Sequence, residues 1–70
     1  GDKKKALAEM RKAAEAEAPF IVQTEARFAL WEMLNRDKRV AEALVPARAL
    51  LADFPENREL LAFIDKHGRP

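Results

Sequence analysis

Cysteine, serine and tyrosine are missing from these 70 residues, and glycine occurs only near the two ends, as Gly1 and Gly68. Without cysteine there is no disulfide and no thiolate chemistry, and the redox compartment is left open. Thr24 is the one hydroxyl side chain and His67 the one imidazole, so the nucleophile–base pairs of covalent and acid–base catalysis have almost no material to form from. No glycine-rich phosphate loop can be written. No apolar run approaches the roughly 18 residues of a membrane span, and "GDKKKALAEM" lacks a signal-peptide core. Thirteen basic residues against twelve acidic ones leave a net charge of +1, which excludes a strong field towards nucleic acid or anionic membrane. The reading is a soluble, cytoplasmic segment. Opening on Gly1 rather than Met, it reads as an excised piece of a longer protein.

What is present is helix-forming. Alanine, leucine, glutamate, lysine and arginine dominate, and no segment of useful length alternates with the period of a strand. The fold class expected is all-α, with four helices. The first runs from about Asp2, as N-cap, to Ala16, with Ala6, Leu7, Met10, Ala13 and Ala14 as its apolar stripe. Pro19 breaks it. The second spans about Phe20 to Arg36. Val22, Ala26, Ala29, Leu30 and Met33 share one broad face, while Ile21, Phe28 and Trp31 fall on another arc. The third covers about Arg39 to Asp53, carrying Val40, Ala43, Leu44, Ala47, Leu50, Leu51 and Phe54. Pro46 lies inside it and predicts either a kink or a later start. The fourth begins near Asn57, an N-cap residue, and carries Leu60, Leu61, Phe63 and Ile64. His67 and Gly68 suit its C-terminus, the glycine as a left-handed cap. Residues 69 and 70 are expected to fray.

The pattern repeats. A shift of 37 residues lays Ala6-Leu7 on Ala43-Leu44, Met10-Arg11 on Ala47-Arg48 and Ala13-Ala14 on Leu50-Leu51, with Pro19 and Pro55 matching to within one residue. Helix pairs recurring at such an interval indicate a solenoid, in which each unit buries its stripe against its neighbours. An antiparallel bundle with accidental self-similarity is the alternative.

Residues 24–57, "TEARFALWEMLNRDKRVAEALVPARALLADFPEN", resemble one unit of the tetratricopeptide repeat family. Leu30 and Leu34 fall on large apolar positions, Ala43 on the small residue where the two helices cross, and Pro55 on the closing proline. Residues 1–19 resemble the second helix of a preceding repeat, and 56–70 a following or capping helix. Three positions depart from the pattern: Trp31 replaces a small residue, Lys38 the turn glycine, and Arg27 a large apolar residue. The resemblance implies a short right-handed α-solenoid and a non-catalytic protein-interaction module whose concave groove is lined by the second helix. Carried over, the groove positions are Glu25, Phe28, Glu32, Asn35 and Arg36.

A helical wheel puts those five in one arc of about 100°, with Ile21 among them. Ile21 and Phe28 would supply apolar contact, and Glu25, Glu32, Asn35 and Arg36 orientation and charge selection. Two acids in the arc favour a protein or peptide partner of basic character. Phe28 and Trp31 are open between groove and core. No cofactor or metal is implied, since no histidine joins Glu25 and Glu32 at ligand spacing, and no nucleic acid is expected. The lysine run Lys3–Lys5, with Arg11 and Lys12, reads as a solvated helix start. The chain is expected to be a monomer or a weak homodimer. A purely structural or self-associating element of a larger repeat protein is the competing function.

Overall fold

The computed structural model describes residues 1–15 and 19–68, with the side chain of Glu15 left aside. Four helices follow in chain order: α1 (Asp2–Glu15), α2 (Phe20–Arg36), α3 (Val40–Asp53) and α4 (Arg58–His67). Among the described residues there is no strand. The expected end of α1 at Ala16 and the fraying of 69–70 lie outside the described residues.

Local chemistry explains most boundaries. Asp2 is not the cap of α1 but its first residue, because the Gly1 carbonyl already accepts from the Lys5 amide at 3.1 Å. Its charge still sits at the positive end of the dipole. Pro19 stands at the N-cap of α2, where its fixed φ and missing N–H do no harm. Asn57 caps α4 as its sequence suggests, its Oδ1 accepting from the Leu60 amide at 3.0 Å. α3 runs unbroken from Val40 through Pro46, with Arg39 as N-cap, so Pro46 is not its start.

Two turns depart from expectation. α2 ends in a Schellman arrangement: the Arg39 amide bonds back to the Leu34 carbonyl at 2.9 Å, and the Lys38 amide to the Asn35 carbonyl at 3.0 Å. That closure needs a left-handed residue, and Lys38 supplies it at φ 60°. Gly68, in contrast, caps α4 in the right-handed region, at φ −92°. Glycine is required there for room. A Cβ at Gly68 would stand 2.8 Å from the Ile64 carbonyl oxygen and 3.0 Å from Arg48, whose Nη2 donates to the Gly68 carbonyl at 3.1 Å.

Packing follows chain order: α1 lies on α2, α2 on α3 and α3 on α4. The result is a slab of 30 × 27 × 17 Å. One core runs through it, built from Leu7 and Ala14 of α1, Leu30, Trp31 and Leu34 of α2, Ala43, Ala47 and Leu50 of α3, and Leu60 and Phe63 of α4. The inner face of α2 is therefore centred on Leu30, Trp31 and Leu34, and Val22, expected on it, is exposed. In α1 the buried residues Leu7 and Ala14 match Ala43 and Leu50 at an interval of 36, as Pro19 matches Pro55. The burial register is thus one residue shorter than the interval of 37 read from composition.

Leu34, Leu50 and Leu60 are the largest fully buried side chains. Truncating a leucine of this kind costs about 2–5 kcal/mol, as much as a single small core supplies. Ion pairs add less, about 0–1 kcal/mol each when exposed. Lys3 reaches Asp37 at 2.6 Å, and Arg27, half-buried where an apolar residue was the norm, reaches Asp53 at 3.7 Å. Arg11 of α1 and Arg39 share one oxygen of Glu42 on α3.

Two predictions follow from these contacts. Lys38→Gly relieves the left-handed strain at the α2–α3 turn, in excess of the extra chain entropy that glycine loses, and raises stability in urea by about 0.5–1 kcal/mol; a loss would mean that the Lys38 side chain itself holds the turn. The Glu42 carboxyl titrates below its ordinary value of 4.5, chiefly because Arg39 donates to it and secondarily because Arg11 does. A lowered carboxylate stabilises the fold above the ordinary value and stops doing so as pH falls through the lowered one. The melting temperature of the native chain should therefore drop more steeply below pH 4.5 than that of Glu42→Gln, and the difference should shrink in high salt. Superimposable pH profiles would remove the shared Arg11–Glu42–Arg39 contact from the account of stability.

Candidate functional site

α2 is flanked by α1 and α3, yet one arc of it stays open. Ile21, Glu25, Glu32, Asn35 and Arg36 are exposed, Ile21 with 68% of its surface accessible. Phe28, on the same arc, is half-buried. Its ring lies 6.0 Å from that of Phe54 and 6.2 Å from that of Trp31, so part of its surface is taken up by these two rings. Trp31 belongs to the core, at 7% accessible, and meets Phe63 of α4 edge-on at 5.6 Å. Its indole N–H is buried and has no acceptor among the described residues.

The Trp31–Phe63 contact places α2 beside α4 and leaves an open hollow of about 380 Å³ between them. Trp31, Glu32 and Asn35 of α2 line one side, and Glu59, Ala62 and Phe63 of α4 the other. Sequence reasoning named Glu32 and Asn35 here and missed the α4 residues. The signal was available, because moving the groove positions Glu25 and Phe28 forward by one 34-residue unit lands on Glu59 and Ala62. Glu32 and Glu59 have no basic partner among the described residues, whereas Asp37, Glu42 and Asp53 each have one.

A larger hollow of about 570 Å³ lies between α1 and the start of α3, lined by Gly1, Lys3, Lys4, Leu7, Ala8, Arg11 and Arg39. Its lining is basic, but Lys3, Arg11 and Arg39 already hold Asp37 and Glu42. Lys4 is left without an acidic partner among the described residues. A third surface is the outward side of α3, where Ala41, Val45 and Ala52 are exposed and Leu44 and Leu51 half-buried; Val45 is 71% accessible. Arg48, the basic residue on that side, is engaged by the Gly68 carbonyl.

The residues with catalytic potential are dispersed. The Thr24 hydroxyl is buried on α2 without a partner among the described residues, and the His67 ring packs on Phe63 at 4.9 Å at the end of α4. Among the described residues no group of three or more His, Cys, Asp or Glu could hold a metal ion, and no helix is long and apolar enough to cross a membrane. Compared with known proteins, the chain matches no family model, and no curated protein or solved structure is significantly similar to it.

Proposed function

We propose that the chain is a non-catalytic protein-interaction module, built as a short tetratricopeptide-like solenoid, which binds a partner peptide of basic character along α2. The observation that carries this reading is the open arc. A helix flanked by two others keeps Ile21, Glu25, Glu32, Asn35 and Arg36 in solvent on one side, with the half-buried Phe28 between them. An exposed apolar anchor among charged and amide groups is the composition of a recognition surface.

Several features support the repeat architecture. Each helix packs on its chain neighbours, while a closed four-helix bundle would also pack α1 broadly on α4. Ala43 is fully buried, as a helix-crossing residue must be. Lys38 adopts the backbone of a turn glycine, and Pro55 lies in the turn between α3 and α4. Trp31 fits where a small residue is usual because Phe63 receives it edge-on.

The reading is tested by titrating the isotope-labelled chain with pools of basic peptides and following amide shifts by NMR. Shifts should concentrate on residues 21–36, and Ile21→Ser should weaken binding at least tenfold without lowering the melting temperature, since an exposed substitution alters stability by only about 0.5 kcal/mol. Shifts scattered away from α2 contradict it.

A second reading, a self-associating structural element, is favoured by the outward side of α3, where Val45 and its apolar neighbours stand open. Sedimentation velocity separates the two. Self-association abolished by Val45→Glu supports the second reading, and a monomer at high concentration supports the first.

A further inference from the structure

From the hollow between α2 and α4, and resting on the peptide-binding reading above, we propose that it is a specificity pocket for one cationic side chain, arginine or lysine, of the bound peptide. Three observations converge there. The floor is aromatic: Trp31 and Phe63 meet at 75° and 5.6 Å, so the hollow offers ring surface to a cation or to the methylenes of a long basic side chain. The rim is anionic from both sides, with Glu32 contributed by α2 and Glu59 by α4. These two carboxylates have no basic partner within the described residues, although the same chain pairs Asp37, Glu42 and Asp53.

Charge complementarity therefore selects the occupant. A cation entering between Glu32 and Glu59 gains two carboxylates without displacing an internal ion pair, and Asn35 adds a neutral donor and acceptor beside them. Ala62, the small residue of the lining, keeps the mouth open. A carboxylate-bearing peptide would meet like charge at the same place, so the pocket discriminates as well as attracts.

The test uses three alanine-based 12-residue peptides that differ at one central residue, arginine, lysine or glutamine. Because Trp31 is the only tryptophan and tyrosine is absent, intrinsic fluorescence reports from the floor of the hollow. Amide shifts of Glu32, Asn35, Glu59 and Ala62 report from its rim. The arginine and lysine peptides should bind at least tenfold more tightly than the glutamine peptide and perturb Trp31. The gap should close in Glu32→Gln/Glu59→Gln, while the glutamine peptide binds that variant as it binds the native chain. Equal affinity of all three peptides, or a gap that survives the double substitution, overturns the pocket but leaves the α2 groove standing. Absence of any shift along residues 21–36 with all three overturns the groove and the pocket together.

Discussion

The seam of Ala43, Ala47 and Leu50 on α3 is the contact on which the arrangement depends. All three are completely buried, and α3 is the helix that packs on both α2 and α4. Two alanines one turn apart allow a neighbouring helix to approach closely, and Leu50 continues the same buried seam. Since α2 and α4 both rest on α3, they come to lie side by side, and Trp31 meets Phe63 across the gap. The hollow with its two carboxylates is a consequence of this packing. In a chain with so small a core, apolar burial dominates and the ion pairs adjust it.

The charge distribution follows the same geometry. Where α1 approaches the start of α3, opposite charges are matched: Lys3 with Asp37, and Arg11 and Arg39 with Glu42. These contacts tie α1 to the rest of the slab and engage two, Lys3 and Arg11, of the five basic residues that a sequence reading might have offered to phosphate. Where α2 approaches α4, nothing matches Glu32 and Glu59. The near-neutral total of +1 thus hides an uneven arrangement, with ion pairs where α1 meets the start of α3 and, among the described residues, unpaired carboxylates at the hollow.

Much of the fold was legible because its signals are local. The Asn57 cap, the break at Pro19 and the turn at Pro55 are written in single residues whose backbone preferences admit few alternatives. Other features depended on partners that no single helix declares. The apolar residues of α2 spread over more than one face, so the wheel did not tell that Leu30, Trp31 and Leu34 face inward while Val22 does not. The interval of 37 aligned residue types, but alanines on adjacent faces of α1 and α3 are interchangeable, and burial falls into register at 36. Lys38 and Gly68 reversed the expected roles of side-chain size and glycine. A closing hydrogen-bond pair imposes the left-handed backbone on a lysine, and the close Ile64 carbonyl oxygen imposes glycine on an ordinary one. Five of the six groove residues are as open as the wheel placed them, and Phe28 is half taken by Phe54 and Trp31. The α4 residues lining the hollow, Glu59, Ala62 and Phe63, were missed because the candidate positions were taken along one helix only.

The most direct check on the placement of α2 beside α4 is a NOESY spectrum of the unligated chain, read for contacts between the Trp31 indole protons and the Phe63 ring. With ring centroids 5.6 Å apart, strong cross-peaks are expected. Their absence, with Trp31 instead contacting α1 alone, would contradict the account.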